Sequence, residues 1–344
     1  MTTVTLPKVN FGTVYKGSPS GRVVKAQGET VELQPNEVVV EIAYTGICGS
    51  DLHFLTRDIV LGHEGVGIIS QVGHSVRNVK VGDRVGWGLN HYSCNYCDQC
   101  LCGNDHMCPE RRMYSMADGH IGCFSDRVVI NSYFVHVIPD EIKLVDAGPL
   151  QCGGATVYGA IVNAGIRSPD RVGVVGIGGL GHLAIQYLAK MGCAVVVFSS
   201  TNSKKEQATQ LGATEFVATT ENPSLRDIAP LDSLVVSTSV QPDWSIYVNI
   251  VKQRGTVLPL SLSHDDLKLP YVPLLMKELR IIGSFVANRY YHREMIRFAA
   301  EHGVRPIVEV LPMTEDAINE AMERLSKGHV RYRFVIKSQT TDAE

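Results

Sequence analysis

Two textures follow one another along the chain, and they predict different architectures. Up to about residue 150, short apolar runs alternate with dense turn residues. The runs are Val38-Val-Val-Glu-Ile-Ala-Tyr44, Gly67-Ile-Ile-Ser-Gln-Val72, Asp83-Arg-Val-Gly-Trp87 and Asp126-Arg-Val-Val-Ile130. Valine-rich runs bounded by Gly and Pro read as strands, so a β-rich domain with few helices is expected. From about Ala155, apolar strands alternate with helical segments. Arg171–Val175 and Ala194–Phe198 read as strands. Between them, Leu180 to Met191 keeps Leu180, Leu183, Ala184, Tyr187, Leu188 and Met191 on one helical face, and Gly192 ends it. Lys204 to Leu211 reads as a helix closed by Gly212, and Leu234–Val236, Gly255–Leu258 and Arg280–Ile282 as later strands. Such alternation predicts a parallel sheet with crossover helices. After about Ala287 come helices over Arg293–His302 and Thr314–Lys327 and a strand over Tyr332–Ile336, a tail expected to return to the first domain. The polar end from Ser338 to Glu344 is expected to fray.

Composition narrows the class. With 344 residues, 44% hydrophobic and 19% charged, the chain has apolar material for two cores. A net charge of −3 offers no basic field for a phosphate backbone, so nucleic-acid binding is not expected. No eighteen-residue apolar run and no basic-plus-apolar leader stand out, which suggests a cytoplasmic protein without membrane spans. Nine cysteines, an odd count with five inside fifteen residues, read as metal ligands rather than disulfides.

Three stretches carry the chemistry. Cys94-Asn-Tyr-Cys97-Asp-Gln-Cys100, followed by Cys108, supplies four neighbouring thiolates that would close a tetrahedral zinc site with no room for substrate. Cys102 is a spare that leaves the ligand choice open, and a loop of free thiols is the alternative. A nucleic-acid zinc ribbon would separate two Cys-x2-Cys knuckles more widely and carry basic flanks. The second stretch is Cys48-Gly-Ser-Asp-Leu-His53 with Leu61-Gly-His-Glu-Gly65. It offers a thiolate, an imidazole and a carboxylate, and Cys152 could complete a catalytic zinc set with an open fourth position. The third is Gly176-Ile-Gly178-Gly179-Leu180-Gly181, set between a strand and a helix. The first glycine makes the tight turn, the second lets backbone approach a pyrophosphate, and the third packs helix on strand. An NAD enzyme wants Asp or Glu at the end of the next strand. Here Phe198 is followed by Ser199, Ser200, Thr201, Asn202, Ser203 and Lys204, with no carboxylate before Glu206. Small hydroxyls leave space for a 2′-phosphate and Lys204 could pair with it, which favours NADP(H). Otherwise Ser199–Asn202 is simply a turn and Lys204 a solvated helix residue.

Together these motifs resemble the zinc-dependent medium-chain alcohol dehydrogenases. The cinnamyl-alcohol-dehydrogenase branch, with its NADP(H)-dependent aldehyde reductases, is the nearer likeness. Matching stretches are Gly46–Asp51, Gly62–Gly65, Val81–Val85, the Cys94–Cys108 lobe, Cys152–Tyr158, Gly176–Gly181, Ile282–Phe285 and Val330–Ile336. The resemblance implies an α/β protein. A β-rich GroES-like catalytic domain would span 1–154 and 288–344, and a Rossmann doubly wound parallel sheet 155–287. It implies two zincs per chain. Cys48, His63 and Cys152 would hold the catalytic one, and Glu64 would bind when the open position holds neither water nor substrate. Cys94, Cys97, Cys100 and Cys108 would hold the structural one. Asp51 would orient His63, while Ser50 and His53 would relay a proton to solvent. Taken alone, Ser50 reads as a loop cap and His53 as a partly exposed histidine. Thr156 and the backbone of Gly283, Ser284 and Phe285 would approach the nicotinamide.

One departure from the family pattern is the short link between His53 and Gly62, which should widen the pocket mouth or let other residues line it. Phe54, Trp87, Leu275 and Phe285 are candidate pocket walls that could equally be core. The expected reaction interconverts aromatic or allylic, bulky aldehydes and primary alcohols. The alternatives are an NAD-dependent polyol or secondary alcohol dehydrogenase and a non-catalytic NADP-binding pathway partner. A zinc-free quinone reductase would lack both cysteine sites. Family members commonly form homodimers edge to edge, with Gly255–Leu262 a candidate edge here.

Overall fold

One long strand, Glu37–Ile47, is the axis of the first half of the protein in this computed structural model, which describes residues 6–263 and 265–340. Seven of its eleven residues are apolar, and every one from Ala43 to Ile47 is buried, so both faces must be covered. Gly65–Val72 pairs antiparallel along its length, with register shifts between Val39 and Val40 and between Ile42 and Tyr44. Its other edge is shared, Arg127–Asn131 taking the first part and Arg333–Lys337 the last. Arg84–Trp87 and His136–Val137 extend the sheet at one end, and Val308–Pro312 pairs parallel with Arg333–Lys337 at the other. The core includes Val38, Val40, Ile42, Ile47, Leu61, Trp87, Phe124 and Phe334.

The second half is a six-stranded sheet, parallel throughout. Its order is Glu215–Ala218, Ala194–Ser199, Arg171–Val175, Leu231–Val236, Val251–Pro259, Arg280–Ile281. In chain order that is 3-2-1-4-5-6, the doubly wound arrangement in which ligands bind where the strand order reverses. The reversal lies between Arg171–Val175 and Leu231–Val236, where the glycine turn begins. The chain divides into two compact units. One is Met1–Cys152 with Asn288–Glu301 and Arg305–Glu344, the other Gly153–Ala287 with His302–Val304.

Three expectations need correction. Gly255–Leu262 is not a free edge, because Arg280–Ile281 pairs with Thr256 and Val257 and is itself the outer strand. Ser338, expected to fray, is buried and donates its backbone N–H to Ala43 O at 2.9 Å. Residues 341–344 of that expected tail lie outside the described residues. The helix expected from Arg293 begins at Arg289, since Asn288 Oδ1 accepts the Tyr291 N–H and caps it.

Candidate metal centres and dinucleotide turn

The first site gathers donors from three places. Cys48 precedes two turns of tight helix, Gly49–Phe54, and Asp51 folds back so that Oδ2 accepts the Cys48 N–H at 2.8 Å. His63 and Glu64 lie between two glycines that have no latitude. A Cβ on Gly62, whose φ is +91°, would sit 2.3 Å from the Phe124 ring, and one on Gly65 would sit 2.3 Å from the Trp87 ring. Cys152 lies in a widened π-type turn, Leu150–Gly154, after the helix Leu144–Pro149. Such turns recur at functional sites because they re-aim a side chain. One ligand atom from each of Cys48, His63, Glu64 and Cys152 lies within 4.8 Å of all the others.

Electrostatics at this site follow from burial. Asp51 Oδ1 meets His63 Nδ1 at 3.0 Å and accepts from the Tyr114 hydroxyl at 2.9 Å. The carboxylate therefore holds a ring proton on Nδ1; burial opposes charge on the ring, but Asp51 and Cys48 raise the imidazole well above its ordinary value, and a metal would take the place of the Nε2 proton. His63 Nε2 has no hydrogen-bond partner among the described residues although it is buried. A hydrogen bond from Cys152 pulls the Cys48 thiol well down and pushes the Cys152 thiol well up, so the pair shares a proton that a metal would displace. Glu64 Oε1 is bound by the Arg333 guanidinium, while Oε2 is buried without a partner among the described residues. Burial pushes the Glu64 carboxyl up to about 7 even with Arg333 beside it. Soft thiolates with an imidazole are the donor chemistry of zinc, and the orphaned Nε2 fits a metal.

The second site is local. Sγ atoms stand 3.6 Å apart for Cys94–Cys108 and Cys97–Cys100, and 3.9 Å for Cys94–Cys100 and Cys97–Cys108. A tetrahedron with zinc–sulfur bonds of about 2.3 Å has edges of about 3.8 Å, so the cluster is already the right size. The backbone N–H of Cys97 donates to Cys94 Sγ at 3.3 Å and that of Cys94 to Cys108 Sγ at 3.4 Å. Cys102 is exposed and outside the cluster, which resolves the spare cysteine.

The glycine turn has the backbone geometry that its spacing predicts. Gly176 adopts φ +89°, and a Cβ on Gly181 would lie 2.0 Å from Gly176 O. A Cβ on Gly178 would meet nothing within 4 Å, so that face of the turn is open. Leu180 leads into the helix Gly181–Lys190. At the strand-order reversal the Thr238 hydroxyl is buried without a partner among the described residues. Lys204 Nζ donates to Ile177 O at 2.9 Å, which brings the Ser199–Lys204 segment onto the glycine turn.

Residues 34–140 match the alcohol dehydrogenase GroES-like domain family and residues 179–301 the zinc-binding dehydrogenase family. A probable mannitol dehydrogenase from Mesembryanthemum crystallinum is 36% identical over 320 residues, covering 89% of this chain and 88% of its own. The chain belongs to the zinc-containing medium-chain alcohol dehydrogenases. An aldehyde reductase from Synechocystis is 33% identical over 92% of this chain and 96% of its own. Among solved structures, a cinnamyl alcohol dehydrogenase from Sorghum bicolor superposes with a TM-score of 0.89 at 31% identity, covering 98% of this chain and 99% of the other.

Within this alcohol dehydrogenase fold the other expected site residues are scattered. Ser50 Oγ lies 3.7 Å from Cys48 Sγ, and His53 is exposed on the same short helix. Thr156 is half-buried near the start of the helix Ala155–Asn163. The Ser284 hydroxyl is buried and unpartnered among the described residues, and Gly283 is exposed. Of the pocket walls, Trp87 is a core residue, 1% exposed, and its ring supports Gly65. Phe54 is half-buried, edge-on to Tyr114 with ring centroids 5.5 Å apart. Leu275 is exposed on the helix Tyr271–Met276, and Phe285 is 36% exposed. The short link after His53 runs as a strip tied on both sides. Leu61 N donates to Tyr15 O at 3.0 Å, and Phe124 N to Leu61 O at 2.8 Å.

Two participants escaped the sequence reading, Tyr114 and Arg333. Tyr114 holds Asp51 and also accepts the Gly62 N–H at 3.0 Å, while its ring stacks on His63 at 4.8 Å. Arg333 holds Glu64. The available signal was an arginine inside an otherwise apolar strand, since a buried guanidinium requires an anionic partner.

Proposed function

We propose that the chain interconverts aromatic or allylic aldehydes and their primary alcohols with NADP(H), at a zinc held by Cys48, His63 and Cys152. The observation that carries this reading is the buried mixed donor set with an unpartnered His63 Nε2. When bound, zinc supplies Lewis acidity toward the substrate oxygen and the nicotinamide supplies or accepts hydride. The chain's own part is positioning and proton handling. Asp51, braced by Tyr114, keeps His63 in the ligand tautomer. Ser50 Oγ, beside Cys48, passes the proton of the substrate oxygen onward, and His53 releases it to solvent. Arg333 keeps Glu64 paired and in reserve. Cys94, Cys97, Cys100 and Cys108 hold the structural zinc. Glycines 176, 178 and 181 receive the pyrophosphate. Thr156 and Gly283–Phe285 approach the nicotinamide, and Phe54, Leu275 and Phe285 remain the candidate walls for substrate.

NADP(H) is supported by the hydroxyl-bearing Ser199–Thr201 segment and by Lys204 on the glycine turn. Two relatives from Mycolicibacterium smegmatis, 35% identical over 317 residues, are named NADP-dependent alcohol dehydrogenases. A homodimer is part of the same reading. Its support is the outer strand Arg280–Ile281 beside a helix that exposes Tyr271, Val272, Leu275 and Met276. A cytoplasmic location agrees with there being no described helix long and apolar enough to cross a membrane.

The test is the rate of NADPH oxidation with cinnamaldehyde against that of NADH, in the wild type and in Lys204→Ala. The expected result is NADPH preference, with the NADPH KM rising about 10- to 100-fold in the variant and the NADH KM unchanged, the size of a lost charge-assisted bond. NADH preference, or faster NAD+ reduction with mannitol, would replace this reading with the polyol one.

A further inference from the structure

Of the mixed donor set, Cys152 alone comes from a helical turn, and a helical turn does not fix a thiol by itself. The residue before it is a glutamine, 2% exposed, where an aliphatic side chain would carry no desolvation cost. Gln151 Nε2 donates to Ala147 O at 2.9 Å, and Oε1 faces His292 Nε2 at 3.0 Å. The amide end that meets a carbonyl must be the NH2, so Oε1 is the acceptor and His292 carries its proton on Nε2. Burial, aided by Arg293, holds His292 down to about 3, so it stays neutral and keeps that single donor.

The surroundings are shaped to this bracket. A Cβ on Gly86 would lie 2.5 Å from Gln151 Cδ, and one on Gly88 would lie 2.4 Å from Gln151 O. His292 stacks on His136 with ring centroids 4.0 Å apart, and His136 pairs with Gly86 across the sheet. The helix that carries His292 is anchored at its start. Arg289 N donates to Asp105 Oδ1 at 3.2 Å, and its guanidinium donates to Asn95 Oδ1 at 2.7 Å, both in the four-cysteine lobe.

We propose that Gln151 and His292 are positioning residues for Cys152: their hydrogen bond fixes the Leu150–Gly154 turn so that the thiolate stands within reach of Cys48 and His63. This rests on the reading that these three residues hold zinc. The bracket acts on metal retention, and its removal should speed loss of that zinc while leaving the lobe's zinc alone.

The test follows zinc release from the full-length holoprotein to a chromophoric chelator. The phase missing from a Cys48→Ala variant identifies the mixed set. Gln151→Met keeps the length of the side chain without its polar ends, and His292→Phe keeps the stack on His136 without the donor. Each is expected to accelerate the Cys48-dependent phase about tenfold or more, with the other phase as in the wild type and the thermal midpoint lowered only by the few degrees that one unpaired buried group costs. An unchanged Cys48-dependent phase in both variants overturns the bracket while leaving the zinc reading intact. Acceleration of both phases with a falling midpoint also overturns it, since that is general loosening. A wild type that holds a single zinc, with no phase removed by Cys48→Ala, overturns the zinc reading and the bracket with it.

Discussion

The two cysteine-bearing centres of this protein are built on opposite plans. The lobe draws all four sulfurs from fifteen consecutive residues, and its own backbone N–H groups turn toward two of them. It is a closed set with the dimensions of a zinc tetrahedron. The mixed set draws on donors about a hundred residues apart, and each needs outside support. Asp51 and Tyr114 hold His63, Arg333 holds Glu64, and glycines make room for the rings of Phe124 and Trp87. A local cluster can be self-supporting because short chain closure is entropically cheap. A dispersed one depends for its precision on the folded core.

Removing one ligand from each centre is the sharpest way to break this contrast. Cys48→Ala should abolish measurable turnover while leaving the fold and the lobe's zinc in place. Cys97→Ala should lower the melting temperature and release the lobe's zinc, with turnover per folded molecule retained below that temperature. Zinc content, melting curves and initial rates on the same preparations check both. Equal losses of turnover from the two variants would erase the distinction.

A smaller effect tests the dependence on packing. A Cβ on Gly46 would lie 1.9 Å from Glu64 Oε2, so Gly46→Ala must displace the carboxylate held by Arg333. The expected cost is about 1–3 kcal/mol in denaturant unfolding, the range for overpacked cores, with the lobe's zinc unaffected.

The gentlest probe is acid. Burial holds His91 and His292 down to about 3 and His136 well below its ordinary value, where His292, Arg293 and Arg289 add to the effect. The unfolded chain takes up these protons near pH 6.5, and the folded chain does not until far lower. Stability is therefore fully present above about 6.5 and declines as pH falls toward 3, by about 1.4 kcal/mol per pH unit for each histidine. His91→Gln should reduce the slope of unfolding free energy between pH 6 and 4.5 by about one proton. An unchanged slope would mean that His91 titrates alike in both states.

What was legible in the sequence follows the same division between local and dispersed. Arg171–Val175 was readable to the residue and the helix Gly181–Lys190 nearly so, because a valine run, a glycine turn and a 3.6-residue repeat are all local signals. The four-cysteine spacing was legible for that reason too. Glu215–Ala218 and Val308–Pro312 were not expected as strands. Both are only partly buried, and the second carries Glu309 paired with Arg324, so neither shows a clear apolar alternation. Trp87 read as well for a pocket wall as for core, and its burial in the folded chain decides between them. Tyr114 left no sequence signal, and Arg333 only that of a cation in an apolar run, because each acts on a residue far away in the chain, Asp51 and Glu64, through contacts that no spacing encodes.

The hold of Lys204 on the Ile177 carbonyl has a consequence for how choosy the cofactor site can be. Its ammonium does not wait in solvent for a phosphate; it already has a bond, and on the proposed reading a 2′-phosphate would gain only the difference between the old partner and the new. A dinucleotide lacking that phosphate would leave the lysine at rest and find no carboxylate from Ser199 to Ser203 to hold its ribose hydroxyl. Discrimination on this plan is a trade of one bond for a better one, without a barrier against the loser. It sets a finite ratio between the two cofactors, so the relative abundance of their reduced forms would decide which one the protein uses.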